Sequence, residues 1–159
     1  MIRKIVEDDR TSILRLLDDI TIFTAEERVV AMELVDEALE RGDRSGYLIY
    51  CSPAEGGEID GYICFGPIAM TDGRYDLYWI AVHSHCMRNG LGTELMKHME
   101  RTVHRWKGKS IFIETSSTPN YRPARRLYDS LGYRIAARVP DFYREKDDKL
   151  IYTKKVSRQ

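Results

Sequence analysis

No sign of charge prevails in this 159-residue chain: 25 Lys and Arg meet 25 Asp and Glu, for a formal net charge of zero and a pI near 6.9. Binding to a phosphate backbone rests on many uncompensated Lys and Arg, so nucleic acid is not an expected partner. Nor is there an apolar run near the roughly 20 residues that cross a bilayer, so no membrane is expected either. The start, Met1-Ile2-Arg3-Lys4-Ile5-Val6-Glu7-Asp8-Asp9, turns acidic where a secretion signal would stay apolar, and a cytoplasmic location is expected. Cysteine is scarce. Cys51, Cys64 and Cys86 are odd in number and never spaced Cys-x-x-Cys, which argues against a disulfide framework and leaves reduced, buried thiols as the expectation. No repeat and no linker rich in Pro, Gly or Ser divides the chain, so a single domain over residues 1–159 is expected. At this length folding typically buries roughly 70% of the extended-chain surface, and the core needs no disulfide or structural metal.

Periodicity sets the coarse order of elements. Met1 to Val6 alternates like a short strand, and Asp8 or Asp9 is placed to cap a helix carrying Ile13, Leu14, Leu16 and Leu17. Thr24, with Glu27 three residues on, makes a capping box for a second helix, whose stripe is Val30, Leu34, Ala38 and Leu39 and whose end is Gly42. Tyr47 to Cys51 and Ile59 to Phe65 flank Pro53-Ala54-Glu55-Gly56-Gly57 as a hairpin. A bend between Pro67 and Gly73 leads to Tyr75 to Val82, whose bulky and branched residues predict a central strand buried on both faces. Leu91, Leu95, Met99, Val103 and Trp106 then recur at helical spacing up to Gly108, and Ile111-Phe112-Ile113 is a further strand. Strand, helix, strand implies a parallel pair. Pro123 suits the first turn of a helix running to Leu131, Gly132 sits where a left-handed cap belongs, and Tyr133 to Val139 with Leu150 to Lys155 close the sheet. The class is α/β with a mixed sheet.

Met87-Arg88-Asn89-Gly90-Leu91-Gly92-Thr93 joins the central strand to its helix. Its two glycines leave peptide N–H groups open to close approach at the positive end of the helix dipole, a natural cradle for a pyrophosphate. A loop that needs glycine only for its backbone angles fits the same residues. A Walker loop would require Gly-Lys-Ser/Thr, whereas Thr93-Glu94 follows Gly92, and a dinucleotide fold would want a third glycine where Leu95 stands. After the second parallel strand comes Asn120-Tyr121-Arg122-Pro123-Ala124-Arg125-Arg126-Leu127-Tyr128-Asp129-Ser130-Leu131-Gly132-Tyr133, which opens another helix.

Together the two stretches resemble the GNAT superfamily of acetyl-CoA-dependent acetyltransferases. The family's loop Arg/Gln-x-x-Gly-x-Gly/Ala is matched by Gly90 and Gly92. Its later pattern Asn-x-x-Ala-x-x-Leu/Phe-Tyr-x-x-x-Gly-Phe/Tyr is matched, with one step of offset, by Asn120, Ala124, Leu127, Tyr128, Gly132 and Tyr133. Met87 stands where the family has Arg or Gln, which removes a side-chain contact and leaves Arg88 to supply charge. The resemblance implies a mixed, mostly antiparallel sheet of about seven strands with a parallel central pair, flanked by about four helices. It also implies acetyl-CoA as co-substrate, with its pyrophosphate at Met87, Arg88, Asn89, Gly90, Leu91, Gly92 and Thr93 and its pantetheine along Ile80, Ala81, Val82 and Asn120. Tyr128, which by itself reads as a core tyrosine with its hydroxyl tethered, takes in the resemblance the place of the tyrosine that protonates or hydrogen-bonds the leaving thiolate. Reference values of about 10 for tyrosine and 8.5 for a thiol make full transfer uphill unless the site lowers the tyrosine, and a hydrogen bond to the developing charge is the other option. Asp76 matches the register at which histone-acetylating relatives carry a glutamate base, and Glu114 at the end of the next strand competes for that role. For either carboxylate the plain alternative is a structural cap on a strand end.

His83-x-His85 with Cys86 offers three potential ligands but no fourth at a usual spacing, so it reads as loop packing and no metal is expected. His98 and His104 lie on different helix faces and read as surface residues. Arg122, Arg125 and Arg126 either meet the adenosine phosphate or form a solvated face. Asp141-Phe142-Tyr143-Arg144-Glu145-Lys146-Asp147-Asp148 is expected as the loop joining the last two strands, either bordering the acceptor groove of the implied fold, where its acids would draw a cationic amine, or serving only as a polar hairpin loop. The expected function is transfer of acetyl from acetyl-CoA to a primary amine, of a small molecule, peptide or protein, by direct attack in a ternary complex. A non-enzymatic acyl-CoA-binding module is the alternative, and a homodimer is left open.

Overall fold

The computed structural model describes residues 1–156. Its strands are β1 Arg3–Lys4, β2 Leu48–Pro53, β3 Ile59–Pro67, β4 Arg74–Val82, β5 Ser110–Ser116, β6 Arg134–Arg144 and β7 Asp147–Lys155. Its α-helices are α1 Arg10–Asp19, α2 Ala25–Arg41, α3 Leu91–Arg105 and α4 Arg122–Ser130. The strands form one mixed sheet in the order β1-β2-β3-β4-β5-β7-β6. β4 and β5 run parallel, whereas the β1–β2, β2–β3, β5–β7 and β6–β7 pairs are antiparallel. Among the described residues no helix is long and apolar enough to cross a membrane. The chain divides into two compact units, each drawn from two segments: Met1–Gly66 with Trp79–Met99, and Pro67–Tyr78 with the chain from Glu100.

In the first unit, Asp9 does not cap α1 as expected. Its carboxylate instead accepts from Arg3 at 2.8 and 2.9 Å and from the Val6 amide at 2.8 Å, so it ties β1 to the turn ahead of the helix. The capping box of α2 is present: Thr24 Oγ1 accepts from the Glu27 amide at 3.1 Å, and Glu27 Oε1 from the Thr24 amide at 3.4 Å. The buried residues of α2 are Ala31, Met32 and Val35, while Val30 is exposed. Apolar residues at 29, 30, 31 and 32 surround that part of the helix, so the pattern did not decide which face turns inward. Tyr62, Ile63 and Phe65 of β3 fill the core with Leu95, Met96 and Met99 of α3. Gly61 sits where a Cβ would fall 2.9 Å from the Ala81 carbonyl and 3.2 Å from Leu91 Cδ2, so the missing side chain lets β3, β4 and the start of α3 close up.

β4 was expected to be buried on both faces, yet only Leu77 and Ala81 are fully buried. Its parallel ladder is short, four residues from Arg74–Leu77 against Ser110–Ile113, and the flanking side chains stay half-exposed. α3 buries Leu91, Leu95, Met99 and Val103 as its spacing predicts, but Trp106 lies beyond the helix end and is 44% exposed.

In the second unit, Gly108 is buried where a Cβ would meet Tyr75 Cε2 at 2.8 Å and the Val103 carbonyl at 3.0 Å. The expected loop of residues 141–148 is mostly strand: β6 runs to Arg144, and only Glu145 and Lys146 turn the chain. The acids of this segment build the hairpin. Asp141 Oδ1 accepts from the Lys146 amide at 2.8 Å, and Asp148 accepts from the Asp141 amide at 2.9 Å and from Arg138. Asp147 is buried against Ser116. These three carboxylates therefore help to hold the hairpin together. Cys51 and Cys64 are buried thiols, as expected, whereas Cys86 is part-exposed.

Candidate active site

The turn between β4 and α3 belongs wholly to the first unit. Backbone bonds fold it tightly: the Cys86 and Met87 amides both donate to the His83 carbonyl, at 2.8 and 3.2 Å, and the Asn89 amide donates to the Cys86 carbonyl at 3.2 Å. Arg88 and Gly90 both adopt positive φ, 77° and 82°. At Gly90 that conformation carries little steric cost, and the Gly90 carbonyl accepts from the Glu94 amide at 3.0 Å, the first bond of α3. The amides of Leu91, Gly92 and Thr93 consequently have no acceptor within the helix. Met87, Arg88, Asn89 and Gly90 are exposed, which opens the Arg88 guanidinium to an anion, while Leu91 is buried and Gly92 and Thr93 are half-exposed.

Ile80 and Val82 of β4 are half-exposed and Ala81 is buried, just before this turn. Their backbone lies past Leu77, the last β4 residue in the ladder with β5.

The second unit carries the titratable candidates. Asp76 is paired in register with Phe112, and the Glu114 carboxylate lies two residues further along β5. Asp76 is half-buried, and that desolvation holds its carboxyl above the ordinary aspartate range; the charge of Glu114 pushes the same way, and Lys149 partly opposes both. Glu114 is exposed and engaged, with Lys149 Nζ at 2.9 Å from Oε2. The same ammonium stands 4.0 Å over the Phe142 ring. Lys149 is a site residue that sequence reasoning missed, because only the β5–β7 register, Ser116 opposite Lys149, brings it beside Glu114.

Tyr128 is buried near the end of α4, packed on Tyr152 at 5.6 Å and Tyr133 at 6.3 Å between ring centroids. The helix ends in a Schellman cap: the Tyr133 amide donates to the Tyr128 carbonyl and the Gly132 amide to the Asp129 carbonyl, both at 3.1 Å, with Gly132 at φ 86°. This closure sets Tyr128 firmly in place. Burial, and secondarily Tyr152, push its phenol above the ordinary tyrosine value, the reverse of what proton donation to a thiolate requires. Asn120 is exposed on the one-turn 3-10 helix ahead of α4. Arg125 donates to the Ser116 and Thr118 carbonyls at 2.8 and 2.7 Å, which makes it a clamp on the β5–α4 connection; Arg122 and Arg126 are exposed. His98 is not a free surface residue, since its ring lies 4.5 Å from that of Tyr50, whereas His104 is exposed.

The acetyltransferase (GNAT) family model matches residues 11–133. A solved structure described as a GNAT-family acetyltransferase, from Desulfovibrio desulfuricans, is 39% identical and covers 99% of each chain with a TM-score of 0.94. The acetyltransferase yncA of Salmonella typhimurium, solved with acetyl-CoA, is similar in fold: 21% identity, TM-score 0.78, 100% of this chain and 95% of its own. YsnE of Bacillus subtilis, an uncharacterized N-acetyltransferase, is 26% identical over 114 residues, 71% of this chain and 73% of its own. With its open amides ahead of α3 and its locked tyrosine on α4, this chain belongs to the GNAT family of acetyltransferases.

Proposed function

We propose that the chain transfers the acetyl group of acetyl-CoA to a primary amine by direct attack, with thioester and amine bound together. The observation that carries this reading is the turn ahead of α3, where Gly90 caps the helix and leaves three successive amides without intrahelical acceptors. In this reading the pyrophosphate takes the amides from Arg88 to Thr93 with the Arg88 charge beside them. Pantetheine runs along the backbone of Ile80 to Val82 and bonds Asn120.

A lysine-like amine near pKa 10.4 must give up its proton before it attacks, at a cost of about 4.6 kcal/mol at pH 7. Asp76, directly or through a water, takes that proton. The raised affinity of its carboxylate for a proton makes it a better base than an ordinary aspartate, whereas Glu114 is already spent on Lys149. The amine nitrogen then bonds to the thioester carbon while the backbone amide near Ile80 polarises the carbonyl, and as the carbon–sulfur bond breaks the nitrogen releases its remaining extra proton to solvent, leaving the neutral amide and the thiolate. Tyr128 donates a hydrogen bond to the departing thiolate and keeps its own proton, as its raised pKa favours. A general base of this kind contributes about 10²- to 10⁴-fold.

The test pairs acetyl-CoA binding by calorimetry with a thiol-release assay over a panel of amino acids, polyamines, aminoglycosides and peptide amines. Binding together with release of CoA in step with one class of amine supports the reading. Binding without turnover on any amine would leave an acyl-CoA-binding module, and no binding at millimolar acetyl-CoA would end the proposal.

A further inference from the structure

Three side chains with different ligand atoms converge on the first unit just ahead of the glycine turn. Asp60 of β3, His85 and Cys86 bring a carboxylate oxygen, a ring nitrogen and a sulfur all within 4.8 Å of one another. His85 Nε2 lies 3.2 Å from Asp60 Oδ1. Zinc bond lengths near 2.0 Å to oxygen and nitrogen and 2.3 Å to sulfur place tetrahedral ligands roughly 3.3–3.8 Å apart, so a slight side-chain adjustment closes the three on one ion. The backbone beneath them is fixed. The His83 amide donates to the Asp60 carbonyl at 2.7 Å, and the Cys86 amide to the His83 carbonyl at 2.8 Å, so the strand and the loop that bear the ligands are bonded to each other.

The neighbouring histidine steadies the cluster. The His83 ring packs 4.1 Å from that of His85, and its Nε2 pairs with Asp19 at 3.2 Å. Its Nδ1 is buried without a hydrogen-bond partner. His83 is not one of the three ligands; paired with Asp19 and packed on the neighbouring ring, it helps to hold the His85 imidazole in place. The sequence shows His83, His85 and Cys86 as an incomplete set; Asp60, 25 residues before His85, joins them only through the fold.

We propose that Asp60, His85 and Cys86 form a site for a divalent transition metal of the zinc class. The mixture of thiolate, imidazole and carboxylate favours zinc, cobalt or nickel over magnesium or calcium, which take oxygen ligands. Binding forms metal bonds to Oδ1, Nε2 and Sγ, the Cys86 thiol proton leaves to solvent, and no electron is transferred. With the two anionic ligands the ion makes a neutral centre, and it pins the residue directly before Met87 to β3. The three ligands take no part in the proposed acetyl transfer, so the site is tested without acetyl-CoA or an amine.

The full chain, stripped of metal with a chelator, is titrated with Co²⁺ and followed by absorbance, and Zn²⁺ is then added in competition. The expected result is one Co²⁺ per chain with a thiolate-to-cobalt charge-transfer band that Zn²⁺ abolishes and Mg²⁺ does not. Cys86→Ser loses the band, while Cys51→Ser and Cys64→Ser retain it. Asp60→Asn and His85→Gln, both at part-exposed or exposed positions that the fold tolerates, weaken zinc about a hundredfold or more. No charge-transfer band, a band that follows Cys51 or Cys64, or zinc affinity unchanged in both Asp60→Asn and His85→Gln would each overturn the site.

Discussion

Lys149 holds Glu114 at 2.9 Å and thereby sets it apart from Asp76, the carboxylate with which it competes in the sequence for the role of base. Glu114 is paired with that ammonium, whereas burial raises the proton affinity of Asp76. Asp76→Asn is expected to lower kcat by about 10²- to 10⁴-fold with the acetyl-CoA KM nearly unchanged, and Glu114→Gln by less than about tenfold. Steady-state kinetics on the two variants decide between them; equal losses would remove Asp76 from the role of base.

Lys149 also steadies the Asp76 carboxylate, because its positive charge counters the upward push from burial and Glu114. Only ionised Asp76 accepts a proton, so kcat/KM falls as pH drops through its pKa. Lys149→Met withdraws the opposing charge, and the acid limb of the kcat/KM profile is expected to move to higher pH. A limb that stays in place, or moves down, contradicts this electrostatic account.

Tyr128→Phe removes the hydrogen bond to the thiolate but keeps the ring packed between Tyr133 and Tyr152. The expected outcome is a fall of about 10²- to 10³-fold in kcat, the scale of losing one donor to a developing anion, with acetyl-CoA affinity retained. Since Tyr128 keeps its proton, the wild-type rate shows no basic limb that vanishes in the variant.

Asp9 binds Arg3 through both oxygens, and its carboxyl is held below the ordinary aspartate range chiefly by that side-chain bond. A lowered folded-state pKa contributes stability that is present above the unfolded value of about 3.9 and lost as pH falls through the folded value. Melting temperature is therefore expected to drop on acidification below about pH 4, and Asp9→Asn to be less stable at neutral pH with a flatter acid side. A hydrogen bond to a charged group contributes about 1.5–3 kcal/mol, and the partial exposure of Arg3 puts this pair at the lower end.

Gly108→Ala asks for a methyl where Tyr75 and the Val103 carbonyl already stand. Overpacking of this kind costs about 1–3 kcal/mol. Denaturant unfolding should register the loss, and a variant as stable as the parent would show that the β4 and α3 ends shift freely.

What the sequence made legible is what local chemistry decides. Thr24 and Glu27 announce the start of α2, Gly132 the end of α4, and the spacing of Leu91, Leu95, Met99 and Val103 the buried face of α3. The glycine turn and the Tyr128 helix were visible for the same reason, since each is a contiguous stretch. What escaped was decided by pairing. The sequence offers Asp8 or Asp9 as a cap and does not show Arg3 beside Asp9, and it leaves Arg125 between a phosphate contact and a solvated face because the Ser116 and Thr118 carbonyls it clamps lie outside its own helix. The 141–148 segment looked like a loop because Pro140 and its acids break the strand pattern, yet those acids bond back into the hairpin they seem to interrupt. Lys149 and Asp60 emerge only once the strands are in register.

Arg88 has a left-handed backbone, φ 77°, without being glycine, a conformation that costs an ordinary residue about 1–2 kcal/mol. Glycine there would relax the turn and forfeit the guanidinium at the helix mouth. Libraries selected for heat tolerance would therefore drift toward glycine at this position, while those selected for capture of a doubly phosphorylated ligand would keep the arginine, a conflict between durability and purpose written into one residue.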